Sequence, residues 1–181
     1  MTYEKECGGV SNATSIYINP RVDLGYTPKR AVDGDTSGLY WCSQSTEGKT
    51  VWWYYSFCDF KAVTRVNLWC SHGSKRHGQA YLIKNFSIVA KNECEPDPRS
   101  TIGSWTVLLT LDWTEAHQDQ CHDGNMSFVI DTDKMAPRKC YGLQFEAKKY
   151  VAINEIQFYE AGLTGKYRHT THGHTRWAEI S

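Results

Sequence analysis

The sequence predicts an all-β sandwich, and three observations carry that prediction. Short runs rich in Val, Ile, Trp, Tyr and Phe recur along the chain with turn-forming residues between them. Seven Trp and eleven Tyr lean the composition toward strands. No segment carries a convincing helical apolar period, so helix content should be low.

Taken in order, residues 1–29 are turn-rich, with Gly8-Gly9, Asn19-Pro20 and Thr27-Pro28, and hold one alternating run, 14–18, expected as a strand before an approach loop. Asp33-Gly34-Asp35 then makes a tight acidic turn. Thr36, Ser37 and Gly38 keep it polar until Leu39-Tyr40-Trp41 returns the chain to apolar character. Residues 51–57 are a strand of large aromatics, residues 63–70 alternate with Val66 and Leu68 on one face, and the two are expected to pair. A basic, glycine-bracketed loop at 72–78 leads to a strand at 86–90.

Residues 91–103 contain Pro96 and Pro98, which lack the ladder donor, so this stretch is an excursion between strands. A strand at 105–111 follows, and 112–125 reads as a polar loop carrying Trp113, His117, Cys121 and His122. Runs at 127–130, 140–146 and 153–159 complete the strand set. The domain is expected to span 1–162, with 163–181 a polar, His-containing tail. His169, His172 and His174 suit a transition metal, yet no acidic or cysteine partner stands near them in sequence, so a solvated tail is the reading.

At 181 residues the chain is long enough for one well-buried domain and short for two. Lys+Arg and Asp+Glu are both 20, so net charge is zero, and no basic run exists to neutralise a nucleic-acid backbone; nucleic acid is not an expected partner. No apolar run approaches the ~20 residues that cross a bilayer, and the opening M-T-Y-E-K-E-C carries no secretory h-region. The seven cysteines are not spaced as C-x-x-C pairs, which points to disulfides rather than zinc. With sequons at Asn12, Asn85 and Asn125, they suit an extracellular, secreted or cell-surface protein. The odd count leaves at least one thiol unpaired within the chain, either buried or bonded to a second chain, as in a homo-oligomer.

The acidic turn is the first candidate site. Two carboxylates flank a glycine that can take positive φ, so side-chain and main-chain oxygens can converge as a hard cation such as calcium requires. The full EF-hand loop pattern is absent, and an ordinary surface turn fits the same triplet.

Several pieces stand in one order: A-V-D-G-D before Trp41-Cys42-Ser43, then V-W-W-Y-Y-S-F, V-T-R-V-N-L, F-S-I-V-A, S-W-T-V-L, C-Y-G-L-Q-F-E and I-N-E-I-Q-F-Y-E. From Gly8 to Gly162 that order resembles the discoidin, or coagulation factor 5/8 type C, domains and the related galactose-binding and fucose-binding lectin modules. The resemblance implies an antiparallel jelly-roll β-sandwich of the galactose-binding-domain-like type, with about eight core strands and with Trp41, Trp53 and Trp105 structural. It also implies a structural Ca2+ held by main-chain oxygens of Arg30, Asp35 and Asn154 and by the carboxylates of Asp33 and Glu155. A disulfide between Cys94 and Cys121 follows from the same resemblance. Cys42 matches a family cysteine whose usual partner position is Asn154 here, making Cys42 the leading candidate for the odd thiol. Fucose-binding relatives place a His before the W-W strand and two Arg after it. Here that stretch is Q-S-T-E-G-K-T, so fucose is not carried over.

The function expected is a non-catalytic, lectin-like carbohydrate-binding module. A sugar site needs a ring for the apolar face and fixed polar groups for the hydroxyls. His72, Lys75, Arg76 and His77 are the polar candidates, and Tyr40 or Trp113 the stacking face. The alternative is an adhesive discoidin domain that binds phospholipid membranes or a cell-surface protein, with Leu39-Tyr40 as an apolar spike beside Lys75-Arg76. Zero net charge gives little pull toward anionic lipid. No G-x-S-x-G, H-E-x-x-H or phosphate-binding glycine loop is present, and the Asp131 and Asp133 pair is explained by strand-end alternation, so no enzyme is expected.

Overall fold

The computed structural model describes residues 10–13, 26–44, 49–71, 82–93, 105–161, 167–171 and 174–178. The strands are β1 (Val10–Ala13), β2 (Trp41–Cys42), β3 (Thr50–Lys61), β4 (Val63–Cys70), β5 (Ile83–Lys91), β6 (Thr106–Asp112), β7 (Met126–Val129), β8 (Arg138–Ala147), β9 (Ala152–Ala161), β10 (Tyr167–Thr171) and β11 (His174–Ala178). One sheet runs β1-β3-β8-β5-β6 and the other β11-β10-β9-β4-β7, with β2 added along β9. Every pairing is antiparallel. The two sheets pack face to face on an apolar core, the sandwich that the strand spacing predicts.

Aromatic side chains fill much of that core. Trp53, Tyr55, Phe57 and Tyr141 from one sheet meet Phe158 from the other, and Trp41 contacts Phe145 with ring centroids 6.2 Å apart. Trp41 and Trp53 are wholly buried. Trp105 is only half-buried and packs against Trp52 instead, with centroids 5.7 Å apart.

β3 and β4, expected to pair, lie in different sheets: β3 pairs with β1 and β8, β4 with β9 and β7. Ala62 alone separates them, and one residue cannot reverse a chain into a hairpin, which needs a loop of at least about two. The chain steps across the sandwich there. The Tyr141 hydroxyl serves both freed main-chain groups, donating to the Lys61 carbonyl and accepting from Val63 N at 3.2 Å.

The polar loop expected at 112–125 contains a helix, α1 (Glu115–Asp123). Thr114 caps it by accepting from His117 N, while His117 Nδ1 accepts from Thr114 N at 3.1 Å. Its buried positions are Gln118, Cys121 and His122, a helical period made of polar and thiol side chains that a hydrophobicity scan does not register. Cys121 is bonded to Cys70, at the end of β4, with Cα atoms 5.1 Å apart. The Cys94–Cys121 expectation therefore fails: α1 packs on β4 and brings Cys121 to that strand's end, and Cys94 lies outside the described residues. Cys58 and Cys140 are also disulfide-bonded, whereas Cys42 is a free, buried thiol, as expected.

Part of the stretch expected as a tail is also ordered. β10 pairs with β9 and β11 with β10, so this sheet continues beyond Gly162. Main-chain pairing needs no apolar alternation, which is why the sequence pattern did not disclose it. His169 and His174 fall in these strands, and His172 lies outside the described residues.

Candidate functional site

A short 3-10 turn, Pro28–Val32, delivers the acidic triplet to its place. Proline at its start presets φ, and Pro28, Ala31 and Val32 are buried. Trp53 Nε1 donates to the Pro28 carbonyl at 3.1 Å, so a core tryptophan holds the turn. Asp33 ends it, and Gly34 follows at φ +85°, a left-handed conformation that L side chains rarely adopt.

That reversal lets Gly34 N donate to Glu155 Oε2 at 3.1 Å, across the gap to β9. Asp33 Oδ1 accepts from Asp35 N at 3.1 Å, and its Oδ2 lies 3.5 Å from Arg30 Nη1. The Asp35 carboxylate turns the other way. Its Oδ1 accepts from Ser37 N at 2.9 Å and Gly38 N at 2.8 Å, and these main-chain donors lower its pKa. A Cβ at Gly38 would collide with that carboxylate. Asn154 Nδ2 donates to the Gly38 carbonyl at 3.0 Å, fastening the end of the turn to β9.

Glu155 is wholly buried, and burial pushes its carboxyl up to about 8, with Asp33 and Asp35 adding repulsion and the Gly34 N–H and the Gln157 side chain offsetting part of the rise. Its Oε1 and Asn154 Oδ1 are buried with no hydrogen-bond partner. A buried acceptor left in this state costs ~1–3 kcal/mol, and more when charged. The corner thus gathers Arg30, Asp33, Asp35, Asn154 and Glu155, the residues that the sequence reading nominated for a cation, around two unserved oxygens. Among the described residues no three His, Cys, Asp or Glu side chains form a metal-binding cluster. A cation here would need main-chain oxygens to complete its shell.

The nominated sugar-contact residues divide differently. Tyr40 is half-buried, with its ring 5.0 Å from that of Tyr26. Trp113 is no stacking platform: it is buried against Phe86 and Phe128, in the core. A tryptophan between polar neighbours read as exposed, but α1 and β7 close over it. His72, Lys75, Arg76 and His77 lie outside the described residues. Sequence reasoning missed a cavity of about 290 Å3 beside the acidic corner, lined by Thr27, Lys29, Arg30 and Asp33.

Comparison with solved structures shows the fold. An F5/8 type C domain from Bacteroides fragilis superposes with a TM-score of 0.58 at 15% identity, over 84% of this chain and 91% of that one. A chitosan-binding module of a chitosanase/glucanase from Paenibacillus sp. IK-5 gives 0.59 at 18% identity, over 83% and 93%. The CBM32 of AlyQ, in complex with 4,5-unsaturated mannuronic acid, gives 0.56 at 14%, over 82% and 92%. Some matched chains are longer, and of these this chain covers 26% to 34%. No protein-family model matches the sequence, and no curated protein matches it. The chain has the jelly-roll β-sandwich of the discoidin-like, galactose-binding-like type.

Proposed function

We propose that this chain is a non-catalytic, lectin-like carbohydrate-binding module in which a structural calcium ion clips the acidic turn to β9. The observation that carries the ion is Glu155: a wholly buried carboxylate with one oxygen unserved, beneath a turn that presents Asp33. The carboxylates of Asp33 and Glu155, with main-chain oxygens of Arg30, Asp35 and Asn154, would hold it. Asp35 suits a main-chain role because its own carboxylate is spent on the turn. The ion would supply charge compensation and no reacting water.

Support for a sugar ligand comes from the fold, which is shared with a chitosan-binding module and with a module that binds an unsaturated mannuronic acid. In this reading the loop residues His72, Lys75, Arg76 and His77 contact hydroxyls and Tyr40 offers its ring. The disulfides favour an oxidising, extracellular setting. A glycan array probed in calcium and in chelator tests the proposal. Arg76→Ala should weaken the best hit by about ten- to a hundredfold, the cost of losing a charge-assisted hydrogen bond. Binding to anionic vesicles with no glycan signal would replace this reading with the adhesive one.

A further inference from the structure

The geometry points to a second ligand site, on the outward face of the 3-10 turn, that takes a single sugar residue carrying a carboxylate. A 3-10 helix has three residues per turn, so Thr27, Arg30 and Asp33 eclipse along one side. The opposite side, with Pro28 and Ala31, is buried, and the Trp53 hydrogen bond to Pro28 holds it there. Thr27, Lys29, Arg30 and Asp33 therefore line one side of the open 290 Å3 cavity from a rigid base. A preformed site spares the ligand the cost of ordering it.

Two of the polar side chains at this cavity, Thr27 and Lys29, are uncommitted among the described residues. Thr27 occupies the N-cap position, yet its hydroxyl makes no capping bond, because Arg30 N donates to the Thr27 carbonyl instead, at 3.0 Å. Lys29 is exposed and makes no ion pair among the described residues. Arg30 spends one nitrogen on Asp33, at 3.5 Å, with its side chain 41% exposed. Among the described lining residues, two cations stand against one carboxylate. Lys29 and Arg30 can take a carboxylate, with the planar guanidinium fork matching its two oxygens, while the Thr27 hydroxyl faces a ring hydroxyl. The volume lies at the lower limit of small-molecule pockets, which suits one ring rather than a chain.

This site rests on the sugar-binding reading of the fold but not on the 72–78 loop. The experiment titrates the full chain with D-galacturonic acid and with D-galactose, calcium chloride present throughout, by calorimetry and by amide shifts in NMR spectra. Galacturonate should bind at least about tenfold more tightly than galactose, and Lys29→Ala should weaken it about tenfold. Thr27→Val should weaken both sugars, with shifts centred on residues 27–33. Equal affinity for the two sugars, an unchanged Lys29→Ala titration, or shifts confined to residues 72–78 overturns the site. A chain that binds neutral glycans on the array but ignores galacturonate loses this site alone; one that binds no glycan loses both readings.

Discussion

Two corners of the sandwich bury polar side chains, and they satisfy them in opposite ways. At α1, Gln118 Oε1 accepts from Ile83 N at 3.2 Å, its amide pairs with His122 Nε2 at 2.9 Å, and the Cys70–Cys121 bridge fixes the helix to β4. The one orphan there among the described residues is Trp113 Nε1, a single neutral donor. At the acidic turn, by contrast, a wholly buried carboxylate receives one main-chain N–H while its second oxygen and the Asn154 carbonyl receive none. The first corner closes on itself with groups from the chain. The second keeps two open acceptors, and each buried acceptor without a partner costs ~1–3 kcal/mol. Those open acceptors are the reason the ion is proposed at the second corner and not at the first.

The comparison can be broken most directly at the bridge. Removing it with Cys70→Ala and Cys121→Ala together releases a 51-residue separation and should cost about 4 kcal/mol in chemical denaturation. The calcium increment should survive; if it collapses with the bridge, the two corners are not independent. Next in size is the ion itself. Calcium at a hundredfold excess over Kd should stabilise by about 2.7 kcal/mol, which raises Tm by roughly 5–10 °C in a chain of this length. Asp33→Ala should remove that gain, and identical melting curves in calcium and chelator would sink the site.

A pH series sharpens the comparison further. The folded-state pKa of Glu155, about 8, lies above its ordinary 4.5, so the folded chain keeps the proton longer than the unfolded one. In chelator, the contribution of Glu155 is therefore full below about pH 4.5 and is lost as pH rises through about 8, with a slope of at most ~1.4 kcal/mol per pH unit. Glu155→Gln should flatten this profile, and calcium, which favours the anion, should oppose it. A wild-type profile that already matches the Gln variant speaks against a raised pKa. The smallest effect belongs to the closed corner: Thr114→Ala removes the cap of α1 and should cost about 1 kcal/mol with an unaltered calcium response.

Elements whose side chains alternate or run apolar were legible before any coordinates. β4 occupies residues 63–70 as read, because Val66 and Leu68 point to one core. The acidic corner was legible because a glycine between two aspartates frees the backbone for a turn that gathers their oxygens, and the resemblance to discoidin-type domains supplied Asn154 and Glu155 as its counterpart. α1 was not legible, since it buries Gln118, Cys121 and His122 rather than leucines; the cue was Thr114 with Glu115 after it, a capping signal in a polar stretch. Trp113 was misplaced for the same reason: it was assigned to a loop, and a loop tryptophan has no predicted cover. Neither the sheet to which β4 belongs nor the partner of Cys121 follows from local pattern. Both depend on a one-residue step at Ala62 and on where α1 lands.

Cys42 gives the open corner a chemical clock. It lies on β2, paired with Ala152 beside Asn154 and Glu155, and is the free thiol among the described residues. Burial pushes its pKa up to about 12, and its Sγ donates to the Ser43 carbonyl at 3.4 Å, so in the folded chain it is neither exposed nor a thiolate. An alkylating reagent can reach it only when β2 parts from β9. The rate of that modification therefore times the local opening of the strand pair next to the proposed ion, and an ion bridging the turn to β9 should lengthen the interval between openings.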